Sequence, residues 1–249
     1  MIRRAWARLV RKQWLIIYPV ALAIINTLAF FAVYAASKGP LGWTAFFAAN
    51  DDRGQFLYDQ FLSHFHVSSA LGVAIFAGIA SCVFAALTRA PMFHAIGGPN
   101  YPRAPRKWSE AGNLSLFYLL FYLVLMVGPL SLLHAGAWGS IAYLGALVVS
   151  VLVLFADYVI VFEGVGVLPA LQRSVQLLRR RWPGVVGVFA VIYVVDYGLV
   201  LLYRHFYKAQ TVFVILPVAQ ILLDSILSLF FDLVLIYLYE DIRRQSPAG

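Results

Sequence analysis

Residues 163–183 read EGVGVLPALQRSVQLLRRRWP, a stretch that separates two long apolar runs and carries four arginines. At about 100° per residue, Leu168, Leu171, Val175, Leu178 and Trp182 share one stripe, while Arg173, Gln176, Arg180 and Arg181 lie opposite, with Leu177 an exception on the polar face. Pro169 suits a first helical turn, and Pro183 ends this helix while permitting the next to begin. The pattern predicts an amphipathic helix lying along a membrane surface between two spanning helices. Arg173, Arg179, Arg180, Arg181 and Trp182 then form a surface for lipid or a partner protein.

Working outward, composition agrees with a membrane protein. Of 249 residues, 62% are hydrophobic and only 12% are charged, with a mean hydropathy of +0.82; a soluble domain of this length is not so apolar. The basic excess, 19 Lys+Arg against 11 Asp+Glu, sits in short clusters between apolar runs. Anionic lipid headgroups, not nucleic acid, are the expected counter-charge. The single cysteine, Cys82, lies within an apolar run and excludes an internal disulfide.

Six apolar runs have the length of a spanning helix, at about 14–36, 66–87, 114–134, 140–162, 184–203 and 211–239. The expected fold is therefore all-α: one integral membrane domain over 1–249, a polytopic bundle of six transmembrane helices with a cytoplasmic amphipathic helix between spans four and five. The first run is longer than the apolar core of a signal peptide and reads as a retained span. Arg89-Ala90-Pro91 marks the surface end of span two, and the Gly- and Pro-rich residues up to Asn113 read as a loop with no phosphate-loop spacing. Residues 41–65 suggest short interfacial helices, and the closing EDIRRQSPAG a frayed polar tail. Fifteen Lys and Arg fall on one face of this arrangement (N-terminus, 89–107, 173–181 and C-terminus) and four on the other. By the positive-inside rule both termini are cytoplasmic, in a multi-pass protein of the cell inner membrane.

Carboxylates inside spans are the strongest candidates for function, because each is costly in hydrocarbon unless paired, protonated or facing water. Asp157, Asp196, Asp224 and Asp232 qualify, and Asp224, Ser228 and Asp232 make a polar stripe at i, i+4, i+8. Asp196 and Asp224 lie in the middle third. Lys, Arg and His are missing at that depth, and Asp157 and Asp232 are expected to reach Arg173 or Arg179 at the inner interface. These residues either line a proton or cation path or tie helices together. His66, His134 and His205 map near the outer face, with His64, where imidazoles could ligate a haem, pigment or metal; no HExxH or CxxCH pattern accompanies them, so neither cofactor nor metal is predicted. All six tryptophans fall near predicted membrane edges, as an anchoring belt does. The sequence supplies no converging nucleophile, base and metal set. A non-enzymatic subunit or scaffold, with other membrane subunits or further copies of itself as partners, is the leading expectation; a transporter using the carboxylates is the second.

Three elements resemble a loose group of bacterial six-helix membrane proteins that includes the membrane domain of some glycerophosphoryl diester phosphodiesterases. They are the basic N-terminus leading into Trp14-Leu15-Ile16-Ile17-Tyr18-Pro19, the piece ALQRSVQLLRRRWPGVVGV before span five, and IYLYEDIRRQ near the end, where Ile242 replaces a leucine. The resemblance implies the six-helix fold. It implies no phosphodiesterase activity, because the catalytic domain of the fused members has no counterpart here.

Overall fold

The structure, a computed structural model, describes residues 1–38, 69–97, 107–124, 137–208 and 215–245. Among them there is no strand. The helices, in chain order, are α1 (Ile2–Arg11), α2 (Ile17–Lys38), α3 (Ser69–Gly97), α4 (Lys107–Tyr122), α5 (Ala137–Leu152), α6 (Ala156–Glu163), α7 (Val167–Arg180), α8 (Trp182–Lys208) and α9 (Ile215–Arg244), with a 3₁₀ turn over Gln13–Ile16 joining α1 to α2.

Among the described residues, five segments are long and apolar enough to cross a membrane: Gln13–Val33, Ile75–Gly97, Leu144–Glu163, Trp182–Tyr203 and Val218–Arg244. The chain is thus an all-helical protein of membrane type. Of the run expected at 114–134, only residues up to 124 are described, the helical part starting at Lys107. The 41–65 segment lies outside the described residues.

Several boundaries differ from the expectations. The span expected to stop at 87 continues through Arg89-Ala90-Pro91 to Gly97, because the Arg89 charge is matched inside the bundle and does not need water. The last helix runs on to Arg244 and buries Ile242, at 1% exposure; the part of the expected frayed tail up to Arg244 is thus helical and held by this side chain. The run expected as span four, 140–162, is broken by a turn at 153–155, between α5 and α6.

That break is filled from α7. Ser174, fully buried, donates from its hydroxyl to the Leu152 carbonyl at 2.8 Å and accepts the Phe155 N–H at 3.1 Å. Two backbone groups freed by the turn are thereby satisfied. Gly164 ends α6 in the left-handed conformation, φ 66°, donating its N–H to the Ile160 carbonyl, a cap that glycine adopts without strain. Gly166 opens α7 from an extended conformation, and Pro169 falls in the first turn, where the missing N–H has no helical acceptor to lose.

The buried face of α7 is Ala170, Ser174, Leu177 and Leu178, whereas Leu168 and Trp182 are more than 60% exposed. Leu177, the expected exception, is fully buried; Ser174 packs as part of the apolar face because its hydroxyl finds backbone partners there. Leu168 at the start of α7 and Trp182 at the start of α8 thus face outward, while the middle of α7 packs against the bundle.

One end of the bundle gathers the basic residues. Arg8 of α1 donates to the Tyr237 hydroxyl at 3.2 Å and to the Ile96 carbonyl, and Lys12 donates to the Ala95 carbonyl at 2.6 Å. These cations close the C-terminal end of α3, where carbonyls have no helical donor and the helix dipole is negative. Burial, with the Arg8 charge beside it, lowers the pKa of the Lys12 ammonium.

Inside hydrocarbon, helix association gains little from the hydrophobic effect and depends on close packing and polar contacts. Gly78 of α3 supplies one such approach: a Cβ there would sit 3.0 Å from the ring and hydroxyl of Tyr122. Nearer the basic end, Phe93, Phe155, Tyr158, Phe162 and Tyr239 form a buried aromatic cluster, with ring centroids from 4.9 Å (Phe93–Tyr158) upward.

Candidate functional site

Four helices converge on Arg89. From α3 its Nη2 lies 2.8 and 3.0 Å from the two carboxylate oxygens of Asp232 on α9, and its Nη1 lies 3.4 Å from Asp157 Oδ2 on α6 and 3.3 Å from the Tyr118 hydroxyl on α4. The Tyr158 hydroxyl donates to Asp232 Oδ1 at 2.8 Å, and the Tyr118 hydroxyl reaches Asp157 Oδ2 at 3.4 Å. Asp157 Oδ1 also accepts the Tyr158 N–H at 2.9 Å. Asp157 is 7% exposed and Asp232 3%.

The helix register places this cluster below the basic end. Arg89 lies eight residues before Gly97, and Asp157 six before Glu163. At 1.5 Å per residue these are depths of about 12 and 9 Å. Asp157 also sits in the first turn of α6, where free N–H groups favour a negative charge. The interruption between α5 and α6 therefore gives a carboxylate a favourable seat.

The two carboxylates are held unequally. Asp232 has two short guanidinium contacts and a short tyrosine donor. Asp157 has one short backbone donor and two contacts near the limit of hydrogen bonding. With all three ionised, the cluster carries one more negative charge than positive. Aromatic faces wrap the cation: the Arg89 guanidinium lies 5.5 Å from the Phe93 ring centroid and 5.9 Å from that of Tyr118, within cation–π range.

The expected partners of Asp157 and Asp232 were Arg173 and Arg179. Instead Arg173 Nε lies 3.7 Å from Glu163 Oε2, and Glu163 Oε1 accepts from the Tyr239 hydroxyl at 2.7 Å; Arg179, Arg180 and Arg181 are exposed. The reason is depth. Arg173 is level with the end of α6, whereas Arg89, read from sequence as a surface marker, lies inside the apolar segment Ile75–Gly97. Its signal was present in the sequence as a lone arginine followed by helix-compatible residues, masked by Pro91 two positions on.

The remaining carboxylates do not join the cluster. Asp224 accepts from the Tyr203 hydroxyl at 2.8 Å, tying α8 to α9. Asp196 is exposed on α8, and Ser228 is half-buried on α9 beside the buried Ser225. His66 and His134 lie outside the described residues, and His205 is exposed on α8. Sequence reasoning passed over His94, whose Nε2 meets Glu110 Oε2 at 2.8 Å where α3 and α4 adjoin. Among the described residues no group of three or more His, Cys, Asp or Glu could hold a metal ion. No protein-family model, curated protein or solved structure matches the chain.

Proposed function

We propose that this protein is a non-enzymatic subunit or scaffold of a bacterial inner membrane, a six-span bundle with both termini and α7 in the cytoplasm, presenting a basic face to lipid or to a partner protein. The observation that carries this reading is the division of labour among its cations. Arg89 is consumed by Asp157 and Asp232, and Arg8 and Lys12 by the end of α3. Arg3, Arg4, Arg11, Arg179, Arg180 and Arg181 stay exposed at the same end. A network in which each carboxylate has donors suits a fixed tie between helices better than a path that must open.

A transporter is the second reading, supported by the unbalanced charge of the cluster, which one proton would neutralise, and by Asp196 and Asp224 at mid-depth on α8 and α9. Purification in a mild detergent separates the two. A stoichiometric membrane partner supports the subunit; a lone oligomer whose melting temperature changes with the coupling ion, and which moves that ion into proteoliposomes, replaces it with the transporter. The likeness to the phosphodiesterase membrane domains belongs to the same reading, as an architecture only.

A further inference from the structure

The N-terminal helix α1 has three distinct faces. Ala5, fully buried, and Leu9, Arg8 and Lys12 turn toward the bundle. Ile2, Trp6 and Val10, spaced i, i+4, i+8, are exposed at 65, 58 and 51%. Arg3, Arg4 and Arg11 are exposed on the remaining side. A helix in water would not maintain an open stripe of isoleucine, tryptophan and valine beside three arginines. That order of faces is the one an in-plane helix needs, with acyl chains on one side and headgroups on the next.

The stripe is also continuous with the outer surface of a spanning helix. Trp14 and Ile17, both more than half exposed, carry it from α1 into α2, where Ile24 and Leu28 are exposed as well. Whatever covers α2 along its length thus covers α1, and around a spanning helix that is lipid. Tryptophans at Trp6 and Trp14 fit the headgroup level.

We infer that α1 is a lipid-binding element that seats Ile2, Trp6 and Val10 in the acyl-chain boundary and gathers anionic phospholipid headgroups with Arg3, Arg4 and Arg11. The inference rests on the proposed basic lipid-facing surface and assigns its lipid to a second element besides α7. Arg8 and Lys12 take no part, since the carbonyls at the end of α3 hold them.

The full-length protein with Cys82→Ser and Val10→Cys, labelled with a fluorophore, is placed in nanodiscs containing phosphatidylcholine and phosphatidylglycerol, one or the other brominated near the glycerol end of its chains. Brominated phosphatidylglycerol should quench the probe more strongly than brominated phosphatidylcholine. Each arginine should contribute a preference on the order of fivefold at low ionic strength. Arg3→Gln, Arg4→Gln and Arg11→Gln together should bring the two lipids to parity, as should high salt. Equal quenching by both lipids before substitution overturns the inference, and no quenching by either shows that protein covers the stripe and overturns it too. A second probe, at Leu168→Cys on α7, isolates the cause. Anionic preference there but not at position 10 sinks the role of α1 and leaves the proposed function standing; none at either position removes its lipid-facing part as well.

Discussion

Arg89 and Asp232 meet from helices 143 residues apart in the chain, with one guanidinium nitrogen shared between both carboxylate oxygens at 2.8 and 3.0 Å. The other nitrogen is left for Asp157 and Tyr118, so a single side chain on α3 is tied to α4, α6 and α9.

Removing that side chain should loosen the bundle more than any surface change. Arg89→Leu leaves two buried carboxylates without their counter-charge, and breaking a buried pair from one side costs about 3–5 kcal/mol. Thermal unfolding in nanodiscs should show a large drop for Arg89→Leu, partly restored when Asp232→Leu and Asp157→Leu are added. An unchanged melting temperature in the single variant would contradict the tie.

The two aspartates should respond differently to amidation. Asp157→Asn removes the surplus negative charge while keeping an acceptor for the Tyr158 N–H, and should be neutral or stabilising. Asp232→Asn strips the guanidinium of its closest partner and should cost about 2 kcal/mol or more, as loss of a charged hydrogen-bond partner does. Equal losses in the two variants would show that the contact lengths do not rank these groups.

Ser174→Ala tests the repair of the broken span. It leaves the Phe155 N–H and Leu152 carbonyl without their side-chain partner, a penalty of about 1–3 kcal/mol for a buried group. The Phe155 amide should exchange faster with solvent, together with its neighbours at the start of α6. Unchanged protection there would mean that the turn is held by packing alone.

The proposed orientation, with the basic end in the cytoplasm, is tested by labelling. In a Cys82→Ser background, Asp52→Cys should react with an impermeant thiol reagent in intact cells, and Arg180→Cys only after the membrane is opened. The reverse pattern would invert the topology.

Much of the helical order could be read from the chain because long apolar runs have few alternatives in a bilayer. The amphipathic nature of 167–180 was legible too, but which of its residues meet the bundle was not. Leu168 and Trp182 of the apolar stripe stay exposed while Ser174 is buried, because its place depends on a carbonyl and an amide freed by a turn more than 18 residues away. Arg89 failed for a related reason. A basic residue two positions before a proline looks like a helix end until its counter-charges are known to be within reach, and those come from α6 and α9. The grouping of Asp157 with Asp232 near the inner interface was legible from depth, but their cation was not: the fold gathers them on Arg89 instead of Arg173 or Arg179, and Asp224, in line with Asp232 by spacing, meets Tyr203.

The distance along the chain between Arg89 and its partners also bears on how the protein is made. Asp157 is synthesised 68 residues after Arg89 and Asp232 another 75 after that. A helix carrying an unmatched arginine is expensive to release into lipid, so α3 should stay close to the insertion machinery, or shallow at the interface, until α6 and finally α9 arrive. Assembly then completes from the last helix backward, and nascent chains stalled before residue 215 should crosslink to the insertase through α3, whereas Arg89→Leu chains of the same length should have left it.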